Sequence, residues 1–120
     1  MKTTVLVVDD DESIRIIYSE FLRNCGFSVV SAIDGQNAIE KVKENPGIKL
    51  VFMDGDMPIM DGWEATKKIK MLRPDLPIVS ITTHRFEDIK AKYIEGKFDA
   101  FLPKPWNFRG VMETINELIN

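Results

Sequence analysis

Three short runs in this chain, Val5-Leu6-Val7-Val8, Leu50-Val51-Phe52-Met53 and Ile78-Val79-Ser80-Ile81, read as continuous apolar segments rather than alternating ones. A strand with one wet face alternates. A strand covered on both faces need not, which is the mark of a parallel sheet with helices above and below. Two further runs, Ser28 to Ala32 and Ala100 to Leu102, complete five predicted strands. The first is predicted over Thr4 to Asp9, and the others over the runs just quoted.

Helical patterns fill the gaps. Ile14, Ile17, Tyr18, Phe21, Leu22 and Cys25 form one apolar stripe, which Gly26 stops. This stripe predicts that Ile17 and Cys25 are buried. Ala38, Ile39 and Val42 mark a second helix, with Asp34 as N-cap. Ala65, Ile69 and Leu72 mark a third, where Asp61 and Glu64 have capping-box spacing. The fourth, Phe86 to Ile94, has the weakest stripe. The fifth carries Phe108, Val111, Met112, Ile115 and Ile119, with Asn107 as cap. The pattern is (βα)5. Right-handed crossovers and cover on both faces predict a doubly wound, flavodoxin-like parallel sheet of order 2-1-3-4-5. Ligands in such sheets lie at the carboxyl ends of the strands, at the switch point between strands 1 and 3.

Composition narrows the function. With 120 residues, 44% hydrophobic and 29% charged, the chain suits a single domain over 1–120. A net charge of −3 and a pI near 5.2 argue against direct nucleic-acid binding. One cysteine, no membrane-length apolar run and no signal-peptide pattern predict a cytoplasmic protein. The close of the last helix pattern without a linker mildly favours a free-standing protein.

The strand ends carry the chemistry. Strand 1 runs into Asp9-Asp10-Asp11-Glu12, strand 3 into Asp54, strand 4 into Thr82-Thr83-His84 and strand 5 into Lys104-Pro105. Carboxylates on neighbouring strands repel one another unless a cation stands between them. A hard, oxygen-rich site with few protein ligands suits Mg²⁺, and Mg²⁺ so held implies a phosphoryl group. Lys104 and Thr82 would reach the oxygens of a transferring phosphoryl group. Asp54, on the central strand of the rim, is the expected nucleophile. Gly55 would leave its approach clear. Asp11 and Glu12 read as cap and surface charge.

These residues match a known family. Val7-Val8-Asp9-Asp10, the run Met53 to Gly62 (MDGDMPIMDG), Ile81-Thr82 and Lys104-Pro105 stand in the order and spacing of a receiver domain. The chain resembles the receivers of two-component response regulators, free-standing chemotaxis or sporulation-relay types most of all. The resemblance covers essentially the whole chain. It implies that a sensor histidine kinase or histidine phosphotransfer protein phosphorylates Asp54. It also implies that Asp10, Asp9, Asp54 and the Asp56 backbone carbonyl hold Mg²⁺, and that Lys104 pairs with the phosphoryl group. Thr82 and Phe101 would be the switch, coupling the chemistry to the helix 4, strand 5, helix 5 face and a downstream protein target. Ile14 would sit at the kinase-docking end of helix 1, with Pro105 nearby.

The chain also departs from the family pattern. Thr83 stands where Ala or Gly is common, and with Asp56 and His84 it would tune hydrolysis. Phe101 lacks the hydroxyl of the common Tyr. Trp106 replaces the usual Phe. Gly96 comes one residue earlier than the usual glycine after helix 4. Trp106 and Phe98 read equally as core or as an exposed partner patch. Two other functions share the fold. An aspartyl-phosphate hydrolase would use Asp56 as its second acid, but no cap domain is evident. A flavin or nucleotide binder would need a glycine-rich loop after strand 1, where acids stand instead.

Overall fold

The computed structural model describes residues 2–55, 57 and 60–119. The elements run β1 (Thr4–Val8), α1 (Glu12–Asn24), β2 (Ser28–Ala32), α2 (Gly35–Glu44), β3 (Ile48–Asp54), α3 (Gly62–Leu72), β4 (Ile78–Thr82), α4 (Phe86–Glu95), β5 (Ala100–Pro103) and α5 (Phe108–Ile119). The five strands form one parallel sheet of order β2-β1-β3-β4-β5, as the alternation of elements predicts.

The absence of alternation has a direct cause. Successive side chains of a strand point to opposite faces, and here both faces are dry. Leu6, Val8, Val51, Met53 and Ile78 join a core shared with Ala38, Ile39 and Val42 of α2, Ala65 and Ile69 of α3 and Ile89 of α4. Val5, Val7, Leu50, Phe52, Val79 and Ile81 join a second core with Tyr18 and Leu22 of α1 and Val111 and Ile115 of α5. The chain changes face across β2, between α1 and α2, and again across β5, between α4 and α5, and β1 and β3 end side by side with no helix between them.

The predicted caps hold α1, α2, α3 and α5 in place. Asp11 accepts from the amides of Ser13 and Ile14, Asp34 from Asn37, Asp61 from Glu64, and Asn107 from Arg109 and Gly110. Several expectations on the stripes need correction. Cys25 is exposed and caps the C-terminus of α1 instead of continuing its buried stripe. Ile17 is half exposed, because the burying face of α1 follows Tyr18, Ser19 and Leu22. β1 stops at Val8, one residue short, while β3 starts two residues earlier, at Ile48. Trp106 and Phe98 are both core: Trp106 stacks on Tyr18 and Phe98 packs edge-on to Trp63. Neither residue forms an exposed partner patch.

The end of α4 explains the early glycine. Gly96 is the C-cap and keeps a right-handed backbone, and a Cβ there would come within 2.9 Å of the Phe98 ring. The left-handed turn falls on Lys97, at φ 61°. Lys97 N–H donates to Ile94 O and Phe98 N–H to Tyr93 O, a complete Schellman closure. Tyr93 and Phe98 stack across it. A β-carbon in that conformation costs roughly 1–2 kcal/mol, partly offset because glycine loses more entropy on folding. Lys97→Gly is expected to stabilise the fold by about 0.5–1 kcal/mol, read from the urea midpoint. A lower midpoint would contradict this account of the turn.

Candidate functional site

Asp9 leaves the end of β1 with its backbone amide still bonded to Ala32 O at 3.2 Å. Its side chain is buried at 2% exposure, beneath the loop it starts. One carboxylate oxygen accepts the Asp11 amide at 2.9 Å, and the other meets Lys104 Nζ at 2.9 Å. Its backbone carbonyl accepts from Arg15 Nη1 at 2.7 Å. Asp10 is exposed on the rim beside it.

Asp54 is the last residue of β3 and pairs in register with Ile81 of β4. It is 3% exposed, and Lys104 Nζ stands 3.2 Å from its Oδ1. The chain on either side of it leaves no slack. Gly62, the first residue of α3, has no room for a side chain, since a Cβ would fall 1.9 Å from the Asp54 carbonyl oxygen. Gly55 is also needed for space, but not to clear the approach to Asp54 as the sequence suggests. The indole of Trp63 occupies the position, 2.6 Å from where a Cβ would be.

The carboxylates of Asp9, Asp10 and Asp54 offer oxygens that all lie within 4.8 Å of one another. Lys104 is the ammonium paired with two of them, reaching the site from the turn after β5. Together the three carboxylates form a hollow lined by hard oxygen donors. This donor set fits a divalent cation of the Mg²⁺ kind. Burial, the largest single influence on Lys104, works to lower its pKa. The hydrogen bond to Asp9 and the charges of Asp54 and Asp9 outweigh it, so the pKa is raised overall.

Thr82 ends β4, buried, with its Oγ1 accepting from the His84 amide at 3.1 Å. Its carbonyl takes the Lys104 amide at 2.9 Å, which ties the lysine's backbone to β4. Thr83 and His84 are exposed on the same rim. Phe101 is half-buried on β5 and packs edge-on against Phe86 of α4. The Lys104–Pro105 bond is cis and Pro105 is exposed. Ile14 is half-buried on α1. Asp56, the expected carbonyl ligand and tuning residue, lies outside the described residues.

Residues 5–116 match the family model of the response regulator receiver domain. The chain belongs to the receiver domain family. It is 33% identical over 120 residues to the autoinducer 1 sensor kinase/phosphatase LuxN of Vibrio campbellii, covering 98% of this chain and 14% of that protein. It is 38% identical over 107 residues to the transcription factor SKN7 of Chaetomium thermophilum, covering 88% of this chain and 14% of that one. The chain thus spans a small part of the length of these curated relatives. Among solved structures it superposes on the chemotaxis protein CheY4 of Vibrio cholerae with TM-score 0.93 and 29% identity, over 99% of this chain and 100% of that one. It also matches a co-crystal structure of the Saccharomyces cerevisiae histidine phosphotransfer protein Ypd1 with the receiver domain of Ssk1. That TM-score is 0.89 at 29% identity, over 98% of this chain and 88% of that one. Receiver domains accept phosphoryl groups from histidine kinases or phosphotransfer proteins in two-component signalling. Among the described residues, no helix is long and apolar enough to cross a membrane.

Sequence reasoning missed two contributors. Arg15 braces the Asp9 main chain, and no motif announces it. Tyr18 belongs to the core as its spacing predicts, and its ring stacks on Trp106, two residues after Lys104. The signal was a polar-tipped aromatic within an otherwise apolar stripe. Burial raises the Tyr18 pKa, against the lowering effects of the Trp106 backbone and Lys104.

Raised folded values fix the sign of the pH dependence. The stability contributed by these groups is complete below their ordinary values, 10.0 for Tyr18 and 10.5 for Lys104. It is lost as pH rises through the raised ones. The urea midpoint is expected to hold up to about pH 9.5 and fall above it. Lys104→Met leaves two buried carboxylates without their cation, so it starts about 3 kcal/mol lower at neutral pH. Its decline above about pH 10 should be shallower. A decline as steep as the parent's would contradict the role of Lys104.

Proposed function

We propose that residues 1–120 form one receiver domain that takes a phosphoryl group onto Asp54 from a histidine kinase or histidine phosphotransfer protein, with Mg²⁺ bound. The reading is carried by one observation: a buried carboxylate ends the central strand within 3.2 Å of Lys104 Nζ, in a cluster with Asp9 and Asp10.

In the transfer, an Asp54 carboxylate oxygen forms a bond to phosphorus while the N–P bond of the donor phosphohistidine breaks, and its electron pair returns to the imidazole. Asp9, Asp10 and Asp54 would hold Mg²⁺, which would supply positive charge against the phosphoryl oxygens. Lys104 already touches Asp54 and supplies a second positive charge. The Thr82 hydroxyl exchanges its contact with the His84 amide for a phosphoryl oxygen. Phe101, which packs on Phe86, then moves inward and alters the face made by α4, β5 and α5, a two-state population shift read by a downstream protein. With no hydroxyl on Phe101, the switch works through packing. Thr83 and His84, exposed beside the acceptor, tune hydrolysis.

Donor docking falls to Ile14 and Pro105. The Ypd1–Ssk1 complex, in which a receiver domain is bound by a phosphotransfer protein, supports a donor of that kind. The protein acts as a cytoplasmic signalling switch that catalyses only its own phosphorylation and dephosphorylation.

Incubation with Mg²⁺ and a small acyl phosphate, or with a histidine kinase, is expected to give an acid-labile, hydroxylamine-sensitive label. Asp54→Ala is expected to abolish it. Label of that chemistry persisting in the variant would overturn the assignment.

A further inference from the structure

Every polar group of Asp9 is held. Its amide donates to Ala32 O at 3.2 Å, one carboxylate oxygen accepts the Asp11 amide at 2.9 Å, and the other meets Lys104 Nζ at 2.9 Å. Its carbonyl lies beyond the ladder. β2 ends at Ala32 and the chain then turns into the cap of α2 at Asp34, so the parallel pairing has no further rung to offer. An unpaired carbonyl on a residue only 2% exposed would be costly. The Arg15 side chain fills the gap, with Nη1 donating at 2.7 Å, the short end of the range for such a bond.

Arg15 follows four acids in sequence, Asp9, Asp10, Asp11 and Glu12. Among the described residues it nevertheless forms no ion pair with a carboxylate. It also stands in the first turn of α1, where the helix amides carry partial positive charge and a cation is disfavoured. Neutralising nearby acids therefore does not explain its pose. Its bond is to the peptide that joins Asp9 to Asp10. That peptide is planar, so a fixed carbonyl oxygen fixes the plane in which the Asp10 amide and Cα lie.

We propose that Arg15 is a positioning residue for the cation site: by holding the Asp9–Asp10 peptide, it sets the direction in which the Asp10 carboxylate leaves the turn between β1 and α1, within 4.8 Å of the oxygens of Asp9 and Asp54. The consequence for a bound cation rests on the Mg²⁺ reading above, whereas the hold on the peptide does not. Charge and position have opposite signs here. If Arg15 acted through its charge, removing it would strengthen the binding of a cation. Acting through the peptide, it strengthens binding itself, because a carboxylate already aimed at the site need not be ordered when the ion arrives.

The test compares the parent with Arg15→Met, Arg15→Lys and Arg23→Met. Arg23 is exposed in the last turn of the same helix, so its loss removes an equal charge from α1 and leaves the Asp9 carbonyl bonded. In metal-free protein, solvent exchange of the Asp11 amide is slowed by its bond to the Asp9 carboxylate. Read by NMR, that exchange is expected to be at least about five-fold faster in Arg15→Met and parent-like in Arg23→Met. By titration calorimetry, Arg15→Met is expected to bind Mg²⁺ about ten-fold more weakly than the parent. Arg15→Lys keeps the charge and loses the planar fork, so it should weaken binding by a smaller factor. Mg²⁺ binding that tightened or did not change in Arg15→Met would overturn the proposal, as would parent-like exchange of the Asp11 amide. An equal effect of Arg23→Met would overturn it too. Should Arg15→Met not fold, Arg15→Lys carries the test, and parent-like exchange together with parent-like Mg²⁺ affinity there would count against Arg15. If the parent itself bound no Mg²⁺, the metal reading would fall, and the amide exchange would still decide what Arg15 holds.

Discussion

The architecture is organised around an electrostatic conflict. Asp9 and Asp54 end neighbouring strands and are almost fully buried, at 2% and 3% exposure. Buried carboxylates this close repel strongly and have lost the water that would screen them. Lys104 relieves part of that repulsion by bonding to both. Asp10 adds a third carboxylate at the rim, and a bound divalent cation would relieve the remaining imbalance.

The rest of the fold holds these groups in place. The reversal of winding after β2 brings the two acidic strand ends together and keeps helices clear of the gap. Gly62 lets the backbone of α3 start directly against the Asp54 carbonyl, so β3 and the helix behind it pack without a gap. Asp11 caps α1 and presents its own amide to Asp9. The same short segment therefore starts a helix and orients a carboxylate. The Thr82 carbonyl holds the lysine's backbone amide, and Tyr18 stacks on Trp106 two residues further on.

Much of this was legible in the sequence. Continuous apolar runs at Val5, Leu50 and Ile78 gave a sheet buried on both faces, and side-chain caps at Asp34, Asp61 and Asn107 marked where helices begin. The acids and Lys104 stood out because each follows an apolar strand directly. Periodicity failed where tertiary packing chose among apolar residues. Ile17 fits the stripe of α1 as well as Tyr18 does, yet the helix is rotated so that Tyr18 and Leu22 face the sheet. Trp106 and Phe98 could not be placed from sequence, since large aromatics serve cores and interfaces alike. The left-handed Lys97 was hidden because the neighbouring Gly96 looked like the residue that should adopt that turn. Its packing against Phe98 assigns it a different task.

A divalent cation would resolve the charge conflict among Asp9, Asp10 and Asp54. Calorimetric titration of metal-free protein with Mg²⁺ tests it most directly. Binding of one ion at millimolar concentrations is expected, with a thermal midpoint that rises with Mg²⁺ and loss of both effects in Asp10→Asn. No heat of binding and an unmoved midpoint at tens of millimolar Mg²⁺ would contradict it.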